Sequence, residues 1–189
     1  MIKRLGFILA LAAAAPLVQS CFPLAATGVA AGALMASDRR TTGIYIEDEN
    51  IELKALGKLH DITGAHVTAT SFNRRVLLTG EVYDENVKKQ VNDAVRGIES
   101  VREVIDETQI AGASSLASQG NDALVTSNVK ARMLDNHGQF AVNHVKVVTE
   151  AGVVYLMGLV THREGDAAAE IARTTSGVAR VVKVFEYID

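Results

Sequence analysis

The sequence predicts an α+β protein of two tandem domains, each with the element order α-β-β-α-β and a three-stranded mixed sheet packed against two helices. One observation behind this prediction is a repeat: segment 67–82 returns as 145–160, with a glycine at the matching place in each copy. The other is that the apolar spacing in each copy changes from helical to strand-like and back. The repeat divides the chain into a first domain at 47–110, a linker at 111–120 and a second domain at 121–189.

Each copy opens with a helix whose apolar stripe recurs every four residues, as a core-facing helix requires. The stripes are Ile51, Ala55 and Leu59 in the first copy, and Val125, Val129 and Met133 in the second. Asn121 precedes the second stripe, and its side chain is the predicted N-cap of that helix.

Two strands rich in Val, Leu and Thr follow in each copy, and two-residue turns at 73–74 and 151–152 join them. Gly80 and Gly158 lie near the strand ends, where we expect a helix to approach the backbone closely. The last strands of the two units are predicted over 101–108 and 180–188.

The second helix of each unit has a recognisable start. In the first copy it is predicted to begin near Asp84. In the second copy Thr161 and Glu164 stand three residues apart, which is the spacing of a capping box. Acidic residues at these starts complement the helix dipole, so they need no catalytic explanation.

The N-terminal segment has the layout of a bacterial lipoprotein signal peptide. A positive start and an apolar run to Val18 precede the small residue Ser20 and then Cys21. We predict that residues 1–20 are removed, that Cys21 is acylated by palmitate-type chains, and that 21–46 form the lipidated N-terminus and tether.

Two other interpretations of this segment stay open. No charged residue occurs over 5–37, which is compatible with an uncleaved membrane helix, although Pro16 and Pro23 interrupt the stretch. Cys21 is also compatible with a small buried apolar residue. Phe22 is not the aspartate that retains lipoproteins of this type in the inner membrane. This predicts the outer membrane, with the chain on its periplasmic face.

Charge and cysteine content exclude some classes of protein. The formal net charge is −3, and loss of Lys3 and Arg4 with the signal peptide would take it to −5. A chain this acidic has no general attraction for nucleic acid, so no nucleic-acid partner is expected. A single cysteine leaves no disulfide framework, and folding must therefore rest on apolar cores.

The repeated unit resembles the BON domain, a small periplasmic module of bacteria. The matching features are the strand segments 77–82 and 154–161, the helix after each, and the Gly-Ile/Val-x-x-Val turn into the last strand. Two such modules behind a lipidation motif resemble the dual-BON-domain outer-membrane lipoproteins. The resemblance implies a non-enzymatic protein that supports outer-membrane integrity, with anionic phospholipid as the ligand of the second domain.

The first helix of the second domain supplies the candidate lipid-binding residues. At about 100° per residue, Leu124 points away from the core stripe, which suits shallow insertion among lipid headgroups. Charge favours this domain as well, because 47–110 sums to −5 and 121–189 to −1. The predicted lipid-binding residues are Leu124, Ser127, Asn128, Lys130, Ala131 and Arg132.

Two alternatives to lipid binding remain. Exposed leucines are common on soluble proteins, and the first helix has two of its own outside its stripe, Leu53 and Leu56. The free edges of small sheets also suit protein partners, so the alternative function is an adaptor for outer-membrane assembly or cell-wall-remodelling proteins.

No pattern in the sequence indicates an enzyme or a cofactor. The five histidines are dispersed, and no pair has the spacing of a helical zinc motif. The serines cluster in the predicted linker and form no nucleophile elbow. We therefore expect a non-catalytic protein without a metal or other cofactor. The histidines are His60, His66, His137, His144 and His162.

Overall fold

A computed structural model describes residues 38–189, which belong to one compact unit. The predicted signal peptide, Cys21 and most of the tether lie outside the described residues. The helices are α1 Thr42–His60, α2 Glu85–Arg96, α3 Leu116–Leu134 and α4 His162–Arg173, with a short 3-10 turn at Val142–His144. The strands are β1 Ala65–Phe72, β2 Arg75–Val82, β3 Glu103–Asp106, β4 Gln109–Ile110, β5 Val145–Glu150, β6 Val153–Val160 and β7 Arg180–Tyr187.

The strands form two mixed sheets, which confirms the α+β class. In the first sheet, β2 lies in the middle, antiparallel to β1 and parallel to both β3 and β4. In the second, β6 is antiparallel to β5 and parallel to β7. The hairpin turns at 73–74 and 151–152 have positive φ angles at both residues, which suits the twist of a two-residue hairpin.

The first sheet differs from the predicted three strands because its last strand is divided. The carboxylate of Asp106 accepts hydrogen bonds from the backbone N–H of Thr108 at 2.9 Å and from its hydroxyl at 2.6 Å. This local turn interrupts the ladder between β3 and β4. The single strand predicted over 101–108 is therefore wrong in the first domain, whereas β7 is continuous.

Both long helices begin earlier than the sequence predicted. The Ser115 hydroxyl, not Asn121, caps α3 by accepting from the N–H of Ser118, so the helix starts inside the predicted linker. Thr41 caps α1 in the same way, which places the start of that helix within the range predicted as tether. The predicted helix start near Asp84 and the capping box at Thr161 are confirmed, and Asp84 is the N-cap of α2.

Each domain has a core between its helices and one face of its sheet. The predicted stripes of α1 and α3 are buried in these cores and are confirmed. Gly80 and Gly158 serve a different contact from the predicted one. A Cβ atom at Gly80 would lie 2.1 Å from the His66 carbonyl oxygen, and one at Gly158 would lie 2.2 Å from that of His144. The close neighbour is thus the backbone of the adjacent strand β1 at Gly80 and the residue just before β5 at Gly158, and not one of the α-helices.

A third core joins the two domains. Its buried residues come from the sheet faces that point away from the helices. The two sheets therefore pack face to face, with a pair of helices on each outer side. Packing of each sheet against its two helices alone would bury only one of its faces. The buried residues of this interdomain core are Phe72, Leu77, Val153, Tyr155, Met157 and Val184.

Polar contacts surround the interdomain core. Lys146 forms an ion pair with Glu52 at 2.7 Å, and the Asn73 amide donates to Glu186 at 2.9 Å. Arg39, which precedes the first domain, binds Glu164 of the second domain at 2.7 Å. Within residues 38–189, no helix is both long enough and apolar enough to cross a membrane.

Candidate functional site

The structure places all six predicted lipid-binding residues on the exposed surface of α3. Leu124 is 65% exposed, while its neighbour Val125 faces the core. The stripe of three buried residues fixes the rotation of the helix, and this rotation turns Leu124 outward. Substitution of Leu124 should therefore leave the core of the domain intact.

Four of the six residues lie together. At about 100° per residue, Leu124, Ser127 and Ala131 share the outward side of α3, with Asn128 on its margin. Leu134, which is not among the six predicted residues, extends this side by almost one turn and is 75% exposed. We call Leu124, Ser127, Ala131 and Leu134 the α3 stripe; its members are uncharged.

The two predicted basic residues are not equivalent. Lys130 lies on one flank of the α3 stripe and is exposed. Arg132 lies on the other flank, and its guanidinium is held over the end of α4, where it donates to the Ile171 carbonyl at 2.9 Å. It also donates to the hydroxyls of Thr174 and Thr175. Arg132 thus satisfies the C-terminus of α4, whose partial negative charge it offsets.

Helix α1 presents a comparable outward surface. Its Leu53 is 66% exposed, so exposure alone does not separate the two domains. Aligning the buried stripes matches Leu56 with Lys130 and Glu49 with Ala123. The outward side of α3 therefore has a cation where α1 has leucine, and a neutral residue where α1 has an acid.

Part of the negative charge counted for α1 faces inward. Asp48 is only 3% exposed and accepts from Arg40 at 2.9 Å. The Arg40 guanidinium in turn lies 3.9 Å from the centre of the Phe72 ring, in the geometry of a cation–π contact. Glu52 is paired with Lys146. Repulsion of an anionic surface by α1 is therefore weaker than its sequence charge of −3 over 47–61 indicates.

Sequence reasoning missed a carboxylate that each domain uses to hold its hairpin turn. Asp48 accepts from the backbone N–H groups of Asn73 and Arg74, at 2.9 Å and 2.7 Å. Asp122 accepts from those of the turn at 151–152, both at 2.8 Å. The available signal was an aspartate three residues before the core stripe in both copies.

A cleft of about 700 Å³ lies between the domains, bordered by α1, β1 and α3. Glu81, Asp122 and Glu150 line it. Burial raises the pKa of Glu150, and the negative charges of Glu81 and Asp122 raise it further. Among the described residues, no group of three or more His, Cys, Asp or Glu side chains is arranged to hold a metal ion.

Comparison with known proteins supports a two-domain assignment. The family model of the BON domain matches residues 48–112 and again 121–189. The outer membrane lipoprotein DolP of Haemophilus influenzae is 38% identical over 192 residues, covering 100% of this chain and 97% of that protein.

Two further relatives are each 29% identical. The 21 kDa hemolysin of Actinobacillus pleuropneumoniae aligns over 80% of this chain and 79% of its own length. Osmotically-inducible protein Y of Escherichia coli aligns over 82% and 80%. Among solved structures, CdsD of the Chlamydia trachomatis type III secretion system is 12% identical, covering 74% of this chain and 92% of its own, with a TM-score of 0.28.

Proposed function

Since the chain belongs to the BON-domain family, we propose that it is an envelope lipoprotein whose second domain binds anionic phospholipid through the outward side of α3. Cys21 would carry the acyl anchor, on the periplasmic face of the outer membrane. The Haemophilus influenzae relative is named as an outer membrane lipoprotein, which supports this location. In this role the protein supports outer-membrane integrity.

The observation that carries the proposal is the chemistry of the α3 stripe. Leu124 and Leu134 lie ten residues apart on one side of the helix, which is about 15 Å along its axis. The small residues Ser127 and Ala131 lie between them. A helix resting flat on a bilayer would place both leucines at the boundary of headgroups and acyl chains.

Electrostatics favours an anionic surface for this side of α3. Lys130 flanks the stripe and is free to approach a lipid phosphate, because it projects beside the leucines into solvent. A lysine near an anionic bilayer contributes about 1 kcal/mol to binding. Arg132 contributes charge from the opposite flank, although its donors are engaged by α4.

The proposal can be tested by flotation of residues 38–189 with vesicles. This fragment contains all three buried cores, so it should fold without the preceding segment. We expect flotation with phosphatidylglycerol-containing vesicles and none with pure phosphatidylcholine. Leu124→Asp should weaken binding at least about tenfold, because a buried leucine is worth about 1.5–3 kcal/mol.

Leu53→Asp in α1 is the matched control, because Leu53 and Leu124 are almost equally exposed, at 66% and 65%. It should leave flotation unchanged. Equal loss in both variants would show that α3 has no special role. Binding by neither the wild type nor the variants would reduce the lipid contact to the acyl anchor.

The second candidate function is an adaptor that docks outer-membrane assembly or cell-wall-remodelling proteins. The observation that favours it is an unpaired strand edge in the first domain, on a different surface from the α3 stripe. The two functions are compatible, since a membrane contact and a protein contact would occupy separate faces.

A further inference from the structure

Strand β1 has one edge without a partner strand in the described part of the chain, where it pairs only with β2. The two-residue turn makes Phe72 and Arg75 the first hydrogen-bonded pair of the hairpin. Hydrogen bonding alternates along an antiparallel strand, so the backbone groups of Thr70 and Thr68 also face β2. Those of Ala69 and Val67 face outward.

Side chains and a turn close both ends of this edge. The Ser71 N–H donates to Glu52 at 2.7 Å, and the Ser71 carbonyl accepts from Lys146 at 3.2 Å. At the other end, the Ala65 N–H donates to the Ile62 carbonyl at 3.2 Å. The segment between, Val67 to Ala69, is what remains for another strand. We call it the β1 edge.

The β1 edge borders two connected depressions with apolar sides. A groove of about 270 Å³ runs between it and α1, where Leu53 and Leu56 are exposed. The groove leads into the interdomain cleft, which Leu56 and Val67 also line. An added strand would therefore have apolar surface beside it as well as backbone groups to pair with.

The charged side chains that line the two depressions are carboxylates, and one of them, Glu52, is already paired with Lys146. Carboxylates lie along the groove and in the cleft, and none of the described residues that line either depression is lysine or arginine. A second copy of this chain would bring two such sets of carboxylates together, which repulsion disfavours. The carboxylates are Glu49, Glu52, Glu81, Asp122 and Glu150.

We propose that the β1 edge binds an extended, lysine- or arginine-containing segment of a partner protein by strand addition. Backbone hydrogen bonds to Val67 and Ala69 supply register, and the carboxylates select basic side chains. This inference goes beyond the lipid contact of α3 and gives the adaptor function a defined surface. It stands if the lipid contact fails, because it uses none of the α3 stripe.

The probe is a fluorescein-labelled nine-residue peptide in which valine alternates with lysine or threonine, titrated with residues 38–189 in an anisotropy assay. A second peptide has glutamate in place of each lysine. We expect the lysine peptide to bind at least about fivefold more tightly, as one to two partly exposed ion pairs would give. Equal affinities would overturn the charge selection, and no binding by the lysine peptide would overturn the proposal.

Ala69→Pro tests the edge itself. Proline removes an outward N–H and leaves the ladder to β2 in place, which edge strands accept. Binding should fall to background, whereas Ala69→Ser, which keeps the N–H, should bind like the wild type. If the proline variant loses its cooperative unfolding transition, the test is instead made on the wild type, by measuring which amide chemical shifts change when the lysine peptide is added. The lysine peptide must then perturb Val67 and Ala69 and leave the α3 stripe unchanged.

Glu81→Gln combined with Glu150→Gln tests the selection for charge. The double variant should lose the preference for the lysine peptide, and Glu99→Gln, an exposed carboxylate outside both depressions, should keep it. Sedimentation of the wild type at increasing concentration tests whether a second copy of this chain occupies the β1 edge instead. A dimer that Ala69→Pro abolishes would show that a second copy fills the edge and would overturn the partner proposed here.

Discussion

A carboxylate on the first helix of each domain holds the neighbouring hairpin turn, and its position follows from the helix rotation. Asp48 and Asp122 share the inward side of their helices with the buried apolar residues, three positions before the first of them. Their oxygens reach the backbone N–H groups of the turns at 73–74 and 151–152. The N–H of the buried residue Asn73 would otherwise be left without a partner inside the packed structure, which is costly.

Replacing Asp48 should destabilise the protein more than replacing its neighbour. Asp48→Asn removes one of the two carboxylates that pair with Arg40, leaving Asp38, and offers one acceptor oxygen where two are used. We expect the free energy of unfolding to fall by about 2–4 kcal/mol, measured by urea denaturation of residues 38–189. Glu49→Gln, on the exposed side of the same helix, should change it by less than about 0.5 kcal/mol. Similar losses of stability in the two variants would contradict the role of Asp48 in holding the hairpin turn.

At the scale of a single element, the start of α4 joins a helix cap to an ion pair with Arg39, which precedes the first domain. The Glu164 carboxylate closes the capping box with Thr161 and also binds both terminal nitrogens of Arg39, at 2.7 Å and 2.9 Å. The hydrogen bond from Arg39 lowers the pKa of Glu164 from 4.5 to about 2. The ionised carboxylate is therefore favoured in the folded chain.

This depressed pKa predicts a loss of stability in acid. Because the folded value lies below the unfolded one, the stabilisation is complete above pH 4.5 and is lost as the pH falls towards about 2. Glu164→Gln should lower the free energy of unfolding at pH 7 by about 1–3 kcal/mol, with the difference from the wild type vanishing near pH 2. Glu170→Gln, at an exposed ion pair of the same helix, should change far less. A stability difference between Glu164→Gln and the wild type that stays constant from pH 7 to about 2 would contradict the lowered pKa of Glu164.

The elements themselves were largely predictable, because their signals are local. The apolar stripes, the two-residue turns and the capping box at Thr161 depend on residues within a few positions of one another. The starts of α1 and α3 were misplaced because no apolar stripe marks their first turns. Only the hydroxyls of Thr41 and Ser115 do so. The division between β3 and β4 depends on one aspartate side chain, Asp106, whose turn-forming role propensity does not reveal.

For the whole molecule, the sequence contains a signal for the stacking of the two sheets, but the stacking itself was not predicted. Segment 153–160 is apolar at successive positions, which is typical of a strand buried on both faces. A domain covered by helices on one face cannot bury the other face alone. The partner surface lies in the first domain, at Leu77 and Phe72, far away in the sequence. The outward direction of the predicted lipid-binding residues needed no such information, because the buried residues Val125, Val129 and Met133 alone set the rotation of α3.

The face-to-face sheets predict that the two domains unfold together. Leu77 and Leu78 are fully buried neighbours on β2; Leu77 faces the second domain and Leu78 faces α1 and α2. Each replacement by alanine should cost about 2–5 kcal/mol in urea. If the two domains unfold together, both replacements will speed amide hydrogen exchange in β6 by the factor that their loss of global stability predicts. Leu134→Ala, at an exposed position, is the control and should leave that exchange unchanged. Unaltered protection of β6 in Leu77→Ala would mean that the domains fold independently and that the interdomain core adds little to stability.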